Sequence, residues 1–265
     1  MASSTCENAE CICVDTALVA VSPAESCEPR SKSGQGFGGL SKVFVARHCS
    51  SKTLVVVKQT MLMFKMRAVG QFKVMKCKCC DLSAIQTSFL STVSFVTRHE
   101  VWNILPLMQI GSCADMLKSS FPEGMSEILI AAILWEILQG LDYLHKMSII
   151  HRAIKGSHIL IAADGTVCLS GLRKSIMLPQ DGDKLKRAHH FPSHAVSVLP
   201  WMAPEILQQD LQGYDFKSDI YSVGITAIQL ARGTVPYIGM PPTKVLLEKL
   251  KGSTPKLCDS LVMVM

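Results

Sequence analysis

The chain reads as an α+β fold, strands early and helices later, and three observations predict it. A glycine-spaced turn at Gly34 to Gly39 precedes a short β-branched run, Leu54-Val55-Val56-Val57-Lys58. Apolar runs of that length, closed by a charged residue, read as strands. Further on, Leu129, Ile133, Ile137, Leu141 and Leu144 recur at steps of three and four, the period of a helix with one buried face. A length of 265 residues is enough to bury a large core.

Taken in order, residues 1–33 mix Ser, Glu and Cys without periodicity and are expected to be disordered. Residues 34–111 are assigned to the smaller, β-rich part and 112–265 to the helical one. Within the latter, Ser126 follows Pro122 and Gly124 and is predicted to be the N-cap of the long helix. That helix should end at Leu141-Asp142-Tyr143-Leu144-His145, with His145 a structural residue rather than a catalyst. A later helix is predicted over Thr243 to Lys251.

Composition excludes several function classes. The net charge of +6 is spread thinly apart from Lys65, Arg67, Lys73, Lys76 and Lys78, and no aromatic-interleaved basic motif accompanies them, so a solvated face is expected and no nucleic-acid partner. Eleven cysteines point to a reducing compartment, and hence to a cytoplasmic and nuclear location. Cys77-Lys78-Cys79-Cys80 is too tight for a zinc knuckle, and Cys6, Cys11 and Cys13 have no neighbouring His, so no metal is expected. No stretch has the roughly 18 uninterrupted apolar residues of a membrane span; the apolar run Ile128 to Leu138 is interrupted by Glu136.

Chemistry enters with Ile150-His151-Arg152-Ala153-Ile154-Lys155-Gly156-Ser157-His158, which has the frame H-R-D-x-x-x-x-N. In that frame the Asp accepts the proton of a substrate hydroxyl and the Asn holds a metal ion. Here the two places are Ala153 and His158. Gly34-Gln35-Gly36-Phe37-Gly38-Gly39 satisfies G-x-G-x-x-G, and Lys58 closes its strand as a phosphate-binding lysine does. Gly171-Leu172-Arg173 stands where D-F-G is expected. Pro200-Trp201-Met202-Ala203-Pro204-Glu205 carries A-P-E, and Lys217-Ser218-Asp219-Ile220-Tyr221-Ser222-Val223-Gly224 resembles the buried helix that supports the catalytic loop. With these landmarks in sequence order, the chain resembles a bilobal protein-kinase-like fold whose base and both metal anchors are replaced.

Phe121-Pro122-Glu123-Gly124-Met125-Ser126-Glu127, His158-Ile159-Leu160-Ile161, Leu169-Ser170-Gly171-Leu172 and Lys217 to Thr226 narrow the resemblance to the STRAD adaptors, the sterile-twenty-related kinase adaptor proteins. The match is dense from Gly111 to Leu250 and faint from Gly34 to Lys58. The resemblance implies a pseudokinase that binds ATP without magnesium and allosterically activates a partner by docking to it. The implied partner is a serine/threonine kinase of the tumour-suppressor liver kinase type, with an armadillo-like scaffold, calcium-binding protein 39, completing the complex. Against that family the helical lobe is expected to lack its last helices, and the scaffold-binding tail Trp-Glu-Phe has no counterpart. Glu205 is then expected to lack the arginine that pairs with the Glu of A-P-E, and an unpaired buried charge costs about 3–5 kcal/mol.

The same resemblance implies a nucleotide site. Gly34, Gln35, Gly36, Phe37, Gly39 and Val43 would bring backbone to the phosphates, Lys58 would meet the α- and β-phosphates, and Lys155 stands where a γ-phosphate lysine is kept. Met108 and Ile110 would present hinge backbone to adenine. Two departures bear on this site: Met61 to His99 contains no Glu to hold Lys58, only Asp81, and Val43 follows Gly39 by four residues where the usual spacing is two. Arg152 has two open roles, as a clamp for a segment phosphorylated at Ser175, Ser193 or Ser197, or as a structural residue bonded to backbone. Ala153 cannot accept a proton, a contribution worth about 10²–10⁴ in rate, and neither His158 nor Gly171 offers the oxygen ligand that magnesium prefers. The expected function is therefore a catalytically inactive adaptor. The alternatives are a weakly active kinase using Lys58 and Lys155, or a non-functional truncated product.

Overall fold

The computed structural model of the chain describes residues 41–47, 54–61, 93–97, 100–178, 180–181, 184–185, 187–192, 195–209, 211–252 and 255–257. Their contacts divide into two compact units, with the division after Leu107, so that Met108 to Gly111 go with the second.

In the first unit, β1 (Ser41–Arg47), β2 (Leu54–Met61), β3 (Val93–Thr97) and β4 (Glu100–Pro106) form one antiparallel sheet in the order β1-β2-β4-β3. The run Val55-Val56-Val57 suits a central strand, where branched side chains pack on both faces of the pleat. Val57 and Ile104 are cross-strand partners and both are buried, the kind of pair that stabilises a sheet. One residue on, Lys58 is in register with Val43 of β1 and Asn103 of β4.

The second unit opens with β5 (Gly111–Ser112) and α1 (Cys113–Ser119). Ser112 Oγ accepts from Asp115 N–H at 3.2 Å while Asp115 Oδ2 accepts from Ser112 N–H at 3.3 Å, a capping box that satisfies two orphan donors. The long predicted helix is α2 (Glu127–Lys146). It buries Ile133, Ile137, Leu141 and Leu144 and packs Leu129 at the core's edge. Ser126 occupies the N-cap position, but its side chain makes no capping hydrogen bond. Glu127 in the first turn meets the helix dipole there instead. By length and composition α2 is the one helix among the described residues able to cross a membrane; its leucine and isoleucine stripe lies in the core of this unit.

Next come β6 (Ile149–Ile150), a 3₁₀ turn at Gly156–His158, β7 (Ile159–Ile161), β8 (Val167–Leu169), a 3₁₀ turn at Leu172–Lys174, β9 (Ile176–Met177), β10 (Gln180–Asp181) and β11 (Lys184–Leu185). Strands β5, β7 and β8 form a sheet in the order β5-β7-β8, β6 pairs with β9, and β10 with β11. The remainder is helical: α3 (Ala195–Val198), a 3₁₀ turn at Leu199–Trp201, α4 (Pro204–Gln208), α5 (Lys217–Arg232) and α6 (Pro242–Leu250).

Helix α5 departs from ordinary amphipathicity because its buried face is largely polar, carrying Ser218, Asp219, Ser222, Thr226 and Gln229. Each has a hydrogen-bond partner, which is the condition for burying polar groups at tolerable cost.

Glu205, expected to lack its arginine partner, is half-buried, and α6 brings a lysine into its neighbourhood. Lys249 is 1 % exposed; its Nζ donates to Met202 O at 2.7 Å and to Tyr221 Oη at 3.1 Å, and it lies 4.6 Å from the Tyr221 ring centroid. Burial pushes its ammonium down to about 8, against the opposing pull of the Glu205 carboxylate. The Tyr221 ring face stabilises that cation.

Candidate functional site

The site grows from Asp219, in the first turn of α5 and fully buried. Its Oδ2 accepts from His151 N–H at 2.8 Å and its Oδ1 from Arg152 N–H at 2.9 Å. His145 Nε2, at the end of α2, lies 3.0 Å from Oδ2 and donates to it. These bonds hold Arg152 at φ +62°, a left-handed conformation that a non-glycine residue adopts only when its surroundings demand it. The Arg152 side chain donates from Nε to Lys174 O at 2.8 Å and from Nη1 to Tyr214 Oη at 3.2 Å. Of its two open roles, these bonds perform the structural one.

His151 is fully buried, with Nε2 donating to Ser170 O at 3.0 Å and Nδ1 accepting from Ala153 N–H at 3.2 Å. Burial, the largest influence, lowers its pKa, opposed by the Asp219 charge. Ala153 is itself 1 % exposed, and its methyl borders a small cavity that Arg152, Trp201 and Ser222 also line. His158 closes the loop: its Nδ1 donates to Ala153 O at 2.6 Å, and burial pushes its pKa down to about 3. The imidazole is therefore neutral, with a nitrogen lone pair on Nε2, a donor that magnesium disfavours.

Gly171 shows why the ring sits there. It has φ +96°, and a Cβ built on it would lie 2.8 Å from His158 Nδ1 and 3.0 Å from its Cγ. The imidazole fills the space that a side chain at position 171 would need, and neither position carries an oxygen ligand.

The other candidate residues fall in separate places. Gly34, Gln35, Gly36, Phe37 and Gly39 lie outside the described residues. Val43 and Lys58 are neighbours in the first unit's sheet, whereas Lys155 belongs to the second unit. Lys155 Nζ lies 3.4 Å from Ser197 O and 5.5 Å from the Trp201 ring centroid, and burial lowers its pKa. It thus addresses the segment before α4. Met108 and Ile110 form a tight turn: Ile110 N–H donates to Ile161 O at 3.2 Å, and Met108 O accepts from Gly111 N–H at 3.1 Å. The Ile110 N–H is therefore engaged within the chain, while the second lone pair of Met108 O remains suited to a donor. Tyr214, Gln229 and Lys249 were not singled out from the sequence. The one signal was the spacing Ser218, Ser222, Thr226 and Gln229 along α5, polar at helical period beside a motif already singled out.

Two buried neutral histidines predict acid sensitivity. Unfolded histidine takes up its proton near pH 6.5, but folded His151 and His158 do so only at lower pH. The unfolded state then binds more protons below about pH 6.5, so stability falls with pH. From pH 6.5 to 5, His158 alone should cost about 2 kcal/mol. Urea midpoints at both pH values test this; His158→Asn should flatten the slope, and an unchanged slope in that variant refutes the assignment.

Comparison with known proteins follows this geometry. The family model described as "Protein kinase domain" matches residues 30–256. The chain is 43 % identical to the STE20-related kinase adapter protein alpha of Gallus gallus over 239 residues, covering 90 % of this chain and 61 % of that protein. It is 50 % identical to the Homo sapiens alpha protein over 167 residues, covering 63 % of this chain and 39 % of the relative. With the Homo sapiens STE20-related kinase adapter protein beta it shares 44 % identity over 226 residues, 83 % of this chain and 52 % of that protein. The chain thus spans about half the length of the curated relatives it matches.

Proposed function

The chain belongs to the protein kinase domain family and is related to the STE20-related kinase adapter proteins, and from that membership we propose that it is a pseudokinase, an adaptor that has kept the fold and given up phosphoryl transfer. The observation that carries this reading is the His158 imidazole seated against Gly171 and bonded to Ala153 O. It puts a neutral ring and a methyl group where transfer needs a base and metal-bound oxygens.

The proposed ligand is ATP, held without magnesium. The charge of Lys58 supports this reading, since a lysine can neutralise phosphate without a metal ion. The proposed partner is a serine/threonine kinase, of the liver kinase type that the resemblance implies. Activation of such a partner requires tighter binding to its active than to its inactive conformation.

Thermal denaturation of the chain with and without ATP, in magnesium and in EDTA, tests the reading. Stabilisation by ATP in EDTA is expected, about 2.7 kcal/mol at a hundred times the dissociation constant, and it should shrink in Lys58→Met. Magnesium-dependent phosphate transfer by the chain itself would refute it.

A further inference from the structure

We propose that the solvent face of α2 is a self-association surface, on which the chain pairs weakly with a second copy of itself, the two α2 helices running antiparallel and in full overlap. The inference does not rest on the adaptor reading.

Helix α2 is apolar on two faces. Its inner face, with Ile133, Ile137, Leu141 and Leu144, lies in the core. On the outer face, among the described residues, Ile128 is 84 % exposed, Trp135 66 % and Leu138 41 %, and Ala131 and Ala132 between them are exposed as well. Ile128, Ala131, Trp135 and Leu138 follow one another at steps of three, four and three, the spacing of a and d positions in a coiled-coil seam. One buried face is all that a surface helix needs. A second stripe of large apolar side chains around a tryptophan marks a place where another surface docks.

Charge and symmetry choose a second copy as the occupant. The ends of the stripe are oppositely charged, with Glu127 exposed in the first turn and Lys146, its side chain 73 % exposed, in the last. Two α2 helices laid antiparallel over their whole length set Glu127 of each copy level with Lys146 of the other. The same overlap sets Trp135 of each level with Leu138 of the other, on either side of a two-fold axis, so one patch serves both copies as a closed dimer requires. The small side chains of Ala131 and Ala132 let the helices approach beside the indole. Antiparallel alignment also places each helix's positive end against the negative end of its neighbour. Lys146 already pairs with Asp142 in its own helix, but an exposed pair of that kind is worth little by itself, and an ammonium has donors for both carboxylates. A lipid surface fits less well: Lys146 is the single base among the exposed residues of α2, whereas helices that lie on membranes are rich in lysine and arginine. One helix face is small beside the roughly 1,200–2,000 Å² of stable interfaces, so the dimer should be weak, with a Kd between about 1 μM and 1 mM.

Sedimentation equilibrium of the full chain over that concentration range tests the proposal. The wild type should pass from monomer to dimer. Trp135→Ala should weaken association about thirtyfold, the effect of losing a central tryptophan anchor, while its melting temperature at the lowest concentration stays that of the wild type, as it would not for a core residue. Glu127→Lys and Lys146→Glu should each associate more weakly than the wild type when alone, and an equimolar mixture of the two should recover the dimer, because only the mixed pair sets opposite charges at both ends. A wild type that stays monomeric throughout overturns the proposal and leaves the stripe to other residues of the chain or to a different partner. A dimer undiminished in Trp135→Ala overturns it too, by placing the contact on another face, and a dimer lost in Trp135→Ala but indifferent to both charge reversals overturns the antiparallel arrangement.

Discussion

Replacing Asp219 with alanine should cost about 4 kcal/mol, a large share of the 5–15 kcal/mol that typical domains possess. The carboxylate serves His151 N–H, Arg152 N–H and His145 Nε2 at once, in a fully buried position. Hydrogen bonds to a charged group contribute about 1.5–3 kcal/mol each, and their loss leaves buried donors unsatisfied. Arg152 would then lose the bond that holds its positive φ, and the loop from His151 to His158 would relax. Asp219→Asn keeps the shape and one acceptor oxygen but turns an NH₂ group toward a donor, so it should cost less than alanine and more than nothing. Urea unfolding of both variants reads the difference. An alanine variant within about 1 kcal/mol of the wild type would show that the loop is supported from elsewhere.

That dependence on a residue far along the chain explains what the sequence could and could not disclose. Helix α2 was legible because its apolar residues repeat with the helical period, and α6 emerged at Pro242–Leu250 against an expected Thr243 to Lys251. Both signals are local. The polar face of α5 was legible only in part: the resemblance marked Lys217 to Gly224 as a buried helix, but nothing local told which groups Ser222, Thr226 and Gln229 would meet. Only the folded chain brings Trp201 O, Ile154 O and Gly156 N–H to them. Lys249 is the sharper case. A lysine in the last turn of a short helix reads as exposed, yet the Met202 carbonyl and the Tyr221 ring enclose it.

The replaced loop positions show the same division between identity and arrangement. That Ala153, His158 and Gly171 stand where the motif frames carry Asp, Asn and Asp is a reading of the sequence alone. That the imidazole of one fills the space beside another is not, because it depends on the left-handed backbone at Gly171 and on the short bond to Ala153 O. The substitutions are therefore coupled in space, and reversing one of them alone meets the others.

Gly171→Asp should accordingly fail to restore a metal site and should destabilise the chain by about 3 kcal/mol. Its Cβ would have to displace the His158 ring from 2.8 Å and break the Nδ1–H to Ala153 O bond, and a non-glycine residue at φ +96° adds about 1–2 kcal/mol of backbone strain. His158→Asn is smaller than histidine and clears part of that space, so the double variant His158→Asn with Gly171→Asp should recover stability relative to the sum of the single changes. A double-mutant cycle measures that coupling, expected at about 1–3 kcal/mol for residues in contact. Magnesium should raise the melting temperature of the double variant in the presence of ATP and leave Gly171→Asp alone unaffected. Additive costs, or a magnesium response from the single variant, would mean that the imidazole and position 171 do not compete for the same space.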